Sequence, residues 1–215
     1  MPDPLGELVA YHASLSTLQR EQGGAVTLLT PGVNVLALSA TFLPEDATGV
    51  DLDAVRDWHE GQGVPVLVAS TQDVSGGREV ARVRVGTFSG QAPDGDVTVE
   101  QVSRLHLSVW ARVLTQAHGT PAWADALAHH LAARLEGDRS AVLLLAYREG
   151  TPVGALLWRR AGSGGAAHLW GTLDDAATLP LLHAAAALGG PLRVSDAGHM
   201  VALDDAQDVI YSLLE

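Results

Sequence analysis

Between residues 141 and 191 the chain sets apolar runs against short polar breaks. They read AVLLLAY, the charged turn REGT, PVGALLW, the Gly-rich AGSGG, AAHLWGTL, two aspartates and LPLLHAAAALGG. This order predicts three antiparallel strands over 141–173, then a helix whose start is capped by Asp174 and Asp175. Residues 191–195 read as a further strand. Residues 205–214, with Val209, Ile210 and Leu213 forming an apolar patch, read as a final helix.

Upstream, 25–30 (AVTLLT) and 33–43 (VNVLALSATFL) predict strands joined by the Pro31–Gly32 turn. Asp51 is a good N-cap for a helix through Leu52, Val55 and Trp58, stopped by Gly61 and Gly63. A short buried strand follows at 64–69. Residues 79–88 (EVARVRVGTF) alternate as a half-exposed strand does. Thr98 with Gln101 forms a capping box ahead of Val102, Leu105, Val109 and Val113, which predicts a helix. Thr120 and Pro121 open a second one, carrying Ala124, Leu127, Leu131 and Leu135 on one face and ending at Gly137.

The pattern breaks near APDGD, at 92–96, which divides the chain into modules 1–95 and 96–215. A weak internal repeat agrees with this division. Each half holds a strand, an acidic turn, one short helix, a Gly-rich stop, a proline and another strand. The predicted class is α/β (α+β): a mixed, mostly antiparallel sheet flanked by helices.

Composition narrows the chemistry. The 215 residues include no cysteine, which excludes disulfides, thiolate metal sites and a cysteine nucleophile. There is no lysine either, so all 13 cations are arginine, and lysine Schiff-base or P-loop chemistry is excluded. A net charge of −12 argues against a nucleic-acid partner, which clustered cations would have to hold. No apolar run nears the roughly 20 residues needed to cross a bilayer. The first residues lack the basic and apolar parts of a secretory signal, so a cytoplasmic location is expected.

The order of elements in the second half, with the REGTPVGALLW turn and strand at 148–158, resembles the GNAT superfamily of N-acetyltransferases. The first half is similar to a second, shortened copy of its strand–helix–strand core. The resemblance implies acetyl-coenzyme A as cofactor, no metal, and a small-molecule amine attacking the thioester directly. In that family the strand matching residues 166–173 splays from its neighbour and offers its backbone to the pantetheine arm. This assigns Leu169, Trp170, Gly171, Thr172 and Leu173 to the cofactor. His168, on the same strand, is the implied base. Tyr211, in an Ala-x-x-x-Ile-Tyr spacing similar to a family helix, is the implied acid for the departing thiolate. The family's final strand pair is missing after residue 215, so the first half or a second copy, as a homodimer, is expected to cover that sheet edge.

One departure cuts against that function. The family's pyrophosphate loop has the form Arg/Gln-x-x-Gly-x-Gly/Ala, whereas 171–180 reads GTLDDAATLP. Asp174 and Asp175 would satisfy the free amides of the helix start themselves, and an anion would have to displace them. Two readings follow: a divergent acetyl-coenzyme A-dependent N-acyltransferase, or a catalytically inactive binding or interaction module on the same fold.

Other constellations carry less. His129 and His130 are adjacent, so on a helix they point about 100° apart and cannot chelate one ion. His106 and His118 read as surface residues. Ser195, Asp196 and His199 lie within five positions, which suits a turn better than a catalytic triad, and no G-x-S-x-G elbow occurs. Residues 162–165 (GSGG) read as a hairpin tip.

Overall fold

The computed structural model describes residues 3–91, 95–198 and 200–214. His199 of the SDAGH turn and Ala92–Asp94 of the APDGD break lie outside the described residues. The elements run α1 (Pro4–His12), β1 (Leu18–Gln22), β2 (Ala25–Leu29), β3 (Ser39–Phe42), α2 (Leu52–Gly61), β4 (Leu67–Ser70), β5 (Gly77–Phe88) and β6 (Thr98–Val102). They continue with α3 (Leu107–Ala117), α4 (Ala124–Arg134), β7 (Ala141–Arg148), β8 (Thr151–Ala161), β9 (Gly164–Thr172), α5 (Thr178–Ala186), β10 (Leu192–Asp196) and β11 (Leu203–Leu214). The class is mixed α/β with mostly antiparallel pairing, as expected. Parallel pairing joins β3 to β4 and β9 to β10.

The chain forms two compact units. The first holds Met1–Val85, Ala197–His199 and Gln207–Glu215, and the second Gly86–Asp196 and Met200–Ala206. In the first unit the strands stand in the order β1-β2-β3-β4-β11-β5. One core there gathers Leu5, Leu8, Leu28, Phe42, Val85 and Tyr211, under α1. Helix α1 has its own start signal, since Asp3 Oδ1 accepts from the Leu5 N–H at 3.0 Å and Pro4 takes the first turn. Helix α2 is capped by Asp51, whose Oδ1 accepts from the Ala54 N–H at 3.1 Å.

In the second unit the order is β5-β10-β9-β8-β7-β6, with only the last residues of β5 included. Helix α5 packs Leu181, Leu182 and Ala185 against Leu144, Leu156, Trp158 and Ala167 of the sheet. The helices α3 and α4 pair with one another, and α3 lies on β8 and β9. The Trp110 indole, fully buried, donates to the Leu156 carbonyl at 3.2 Å and ties α3 to β8.

Three expectations need correcting. Residues 98–102 form strand β6, not a helix start. Its five residues pair with β7 from Thr98↔Tyr147 to Val102↔Leu143. The buried strand β7 has backbone groups on that side to satisfy, and a Thr- and Val-containing segment suits the ladder better than a helix. The helical stretch begins only at Arg104, as one 3₁₀ turn leading into α3. Residues 33–43 form β3 over only four residues, after a 3₁₀ turn at Leu36–Leu38.

The third correction concerns Tyr211. Residues 205–214 form strand β11, paired with β4 as Ile210↔Ser70, Tyr211↔Ala69, Ser212↔Val68 and Leu213↔Leu67. A central strand with both faces covered shows an apolar run rather than alternation, and over one turn that run also fits a helical template. Tyr211 is therefore a core residue of the first unit, not a residue on a helix flanking a cleft.

Candidate active site

The site is built around a defect in β9. Strands β8 and β9 pair as Leu157↔Leu169 and then Arg159↔Ala166, so Ala167 and His168 together face the single residue Trp158. This bulge bends β9. Its other neighbour, β10, follows it in parallel only through Leu192↔Gly165, Arg193↔Ala166 and Val194↔Ala167. Beyond the bulge, residues 168–172 of β9 have no ladder with β10, so the pairing of the two strands opens there.

Side chains of the same unit close over that opening. Trp170 Nε1 donates to the Ser195 carbonyl at 2.7 Å, so an indole takes the first β10 carbonyl past the ladder. Ser195 Oγ donates to the His168 carbonyl at 3.4 Å. From α3, His118 Nε2 lies 2.9 Å from the Trp170 carbonyl. Sequence makes that approach feasible at two glycines. Gly119, at φ 68°, ends α3 in the left-handed region. Gly171 has no side chain where a Cβ would meet Ala117 Cβ at 2.9 Å and His118 Nε2 at 3.2 Å. A carbonyl only accepts, so His118 Nε2 carries the hydrogen and Nδ1 holds the free lone pair of the neutral ring.

The start of the following helix is already occupied. Asp174 Oδ1 accepts from the Ala176 N–H at 3.0 Å, its carbonyl accepts from the Ala177 N–H, and the Leu173 N–H donates to the Val153 carbonyl. The other Asp174 oxygen meets Arg148 Nη1 at 2.6 Å. Arg148 also faces Asp96, with Nε 3.8 Å from its carboxylate. The Arg148 hydrogen bond, then the Ala176 amide, hold the Asp174 carboxyl below its usual 3.8. Sequence reading placed both aspartates at the cap. Asp174 serves there, and a turn of 3₁₀ helix at Asp175–Ala177 precedes α5.

The residues assigned from sequence divide accordingly. Leu169 and Gly171 are buried, Trp170 and Thr172 half-buried, and Leu173 exposed, all on or just after β9. Thr172 Oγ1 and Thr178 Oγ1 share a hydrogen bond of 3.0 Å, which fastens β9 to α5. His168 is also on β9, but its ring is buried at 8% exposure. Tyr211 is in the other unit's core, where burial pushes its phenol well above 10 and makes it a poorer acid at neutral pH. The structure thus gathers His168 and residues 169–173 on and just after β9, while Tyr211 belongs to the core of the first unit. Sequence reading missed His118 and Arg148. Each reaches its partner from 52 and 26 positions away, a distance no local pattern signals.

A shallow groove of about 350 Å³ between α3 and α4, floored by Leu107 and Ala128, includes none of the β9 residues. The bulge and the β9 segment without a β10 ladder are the stronger indication of a ligand site, because side chains rather than a neighbouring strand hold the main-chain carbonyls there. No group of three or more His, Asp or Glu suited to a metal occurs among the described residues. No helix among them is long and apolar enough to cross a membrane.

Comparison with known proteins decides the family. The acetyltransferase (GNAT) domain matches residues 74–187, more than half of the chain. The chain belongs to the GNAT acetyltransferase family. Solved structures agree on the fold. A GCN5-related N-acetyltransferase from Kribbella flavida has a TM-score of 0.64 at 14% identity, over 99% of this chain and 96% of that one. A functionally unknown conserved protein from Staphylococcus epidermidis has 0.63 at 12% identity, over 91% and 93%. A GCN5-related N-acetyltransferase from Sphaerobacter thermophilus has 0.53 at 13% identity, over 96% and 84%. No curated protein matches the chain.

Proposed function

We propose that the second unit transfers an acyl group from acetyl-coenzyme A to a small-molecule amine. The observation that carries this reading is the opening beyond the β9 bulge, in a chain of the GNAT family. Residues 169–173 form the strand wall along which the thioester arm would lie. His168 belongs to that wall. His118 takes the role of base, because its Nδ1 lone pair is fixed by the hydrogen bond on the other ring nitrogen and its side chain is exposed. An ammonium acceptor loses a proton to Nδ1, and the free amine attacks the thioester carbonyl carbon. The new C–N bond forms as the C–S bond breaks, and the departing thiolate takes up a proton from the nitrogen. Tyr211 has no role in this scheme. The two-module division at 1–95 and 96–215, a cytoplasmic setting and a homodimer through an open sheet edge belong to the same proposal.

The test is thiol release from acetyl-coenzyme A with a panel of small amines. The chain suits it, because it has no cysteine to react with a thiol reagent and no lysine to self-acetylate. Amine-dependent release is the expected result. Its absence across the panel, with no rise in melting temperature at millimolar acetyl-coenzyme A, would discard the reading, because a ligand of the native state must stabilise it. The second reading, a binding module without catalysis, is favoured by one observation: Asp174 already fills the amides where a pyrophosphate would sit. It is expected to give neither release nor stabilisation.

A further inference from the structure

The opening beyond the β9 bulge exposes main-chain acceptors, and each has found a partner within the unit. The Ser195 carbonyl takes the Trp170 indole, the Trp170 carbonyl takes His118, and the His168 carbonyl takes the Ser195 hydroxyl. The indole is the bulkiest of these partners, and like the Ser195 hydroxyl it bridges β9 and β10. It leaves β9 on the side of α5, where it packs against the core that includes Trp158, Leu181 and Val194. Its N–H ends on β10, on the carbonyl of Ser195, just past the residues that pair with β9. Trp170 remains half-buried while the residues on either side of it in β9 are buried, so one edge of the ring meets solvent.

We propose that Trp170 is a displaceable plug: an acyl thioester's arm enters between β9 and β10 by taking the Ser195 carbonyl from the indole. This rests on the acyltransferase reading. A pantetheine-like arm carries amide N–H donors, which can replace an indole N–H on a carbonyl without leaving it unsatisfied. The bond that the indole makes across the opening is single and neutral, so exchanging it for an amide is close to even in bonds made and broken. The cost of entry is then the loss of ring packing, which sets the affinity below that of an open cleft. The plug also keeps the site shut to water when no donor is bound.

Calorimetric titration of acetyl-coenzyme A into the wild-type chain, Trp170→Phe and Trp170→Ala tests this. Phe keeps the ring and removes the tether, so it guards against a folding defect in the Ala variant. The expectation is a gain in affinity of about fivefold for Phe, the worth of one neutral hydrogen bond, and more for Ala. In the wild type, the indole N–H resonance that disappears in the Phe variant should shift and lose exchange protection when acetyl-coenzyme A is added. A merely structural tryptophan would keep its tether. Equal or weaker binding by both variants, with the wild type still binding, overturns the plug and leaves the acyltransferase reading standing. If no form binds acetyl-coenzyme A, that reading fails. The plug fails with it, because even the Ala variant, with the indole gone, then admits no thioester arm.

Discussion

His118 donates through Nε2 to the Trp170 carbonyl across 2.9 Å, and this bond settles which ring nitrogen is left with a lone pair. A residue that serves only as a clip would be replaceable by any donor of similar length. Glutamine is such a donor, since its amide N–H can reach a carbonyl but holds no basic nitrogen. His118→Gln is therefore expected to keep the melting temperature and acetyl-coenzyme A affinity while lowering kcat/KM about a hundredfold, the lower range for losing a general base. A kcat/KM equal to that of the wild type would assign His118 to positioning alone.

Asp174 joins a helix start to a cation, with one oxygen on the Ala176 amide and the other on Arg148. Arg148 keeps this carboxyl ionised through the neutral range, so it repels any incoming phosphate. Asp174→Asn keeps an acceptor for the Ala176 N–H and removes the charge. It also releases Arg148 from its pair. Acetyl-coenzyme A affinity should rise roughly fivefold, the factor carried by one like-charge contact a few Å away in solvent. The gain should shrink as salt is added. Affinity unchanged at low salt would show that the pyrophosphate goes elsewhere.

The meander from β7 to β9 was legible in the sequence because its turns carry their own markers. Residues 148–151 and 161–164 place charge and glycine between apolar runs, and the chain turns there. The start of α5 was legible for the same local reason, since Asp174 caps an amide two residues on. Strands β6 and β11 were not, because what makes each a strand is its neighbour. Thr98–Val102 borrows its conformation from the ladder on β7, and Ile210–Leu213 from β4. Of the site, Trp170 and His168 could be singled out from their strand. The bulge at Ala167 and His168, the Ser195 carbonyl and His118 could not, because each is a matter of register or of contact across the fold.

Gly165 and Trp158 show how closely the sheet is fitted at that register. A Cβ added at Gly165 would run into Trp158 Nε1, on a ring that is itself 5% exposed and packed under α5. The indole cannot give way without displacing its neighbours. Gly165→Ala is expected to cost about 1–3 kcal/mol of stability, the range for overpacking a core. Urea unfolding at neutral pH measures it. A loss under about half a kcal/mol would mean that the indole has room to rotate.

The first unit holds a buried polar chain whose response to pH can be worked out from its hydrogen bonds. His59 is fully buried, with Nδ1 2.8 Å from the Pro65 carbonyl and Nε2 3.0 Å from Thr41 Oγ1, which in turn lies 2.8 Å from Thr27 Oγ1. The carbonyl only accepts, so Nδ1 donates, Nε2 accepts from Thr41, and Thr41 accepts from Thr27. This arrangement needs the neutral ring. Burial lowers the His59 pKa below 6.5, which outweighs the Pro65 bond acting the other way. In the unfolded chain His59 takes up a proton near 6.5, whereas the folded ring does so only at lower pH. Between those values the unfolded state binds more protons, so stability falls as pH drops below about 6.5 and levels off beneath the folded value. Carboxylates such as Asp174 lose their contribution only at more acid pH. His59→Gln removes the titrating group, so urea midpoints at pH 7.5 and pH 5 should lie closer together in the variant than in the wild type. Equal spacing in the two proteins would show that His59 charges in place without opposing the fold.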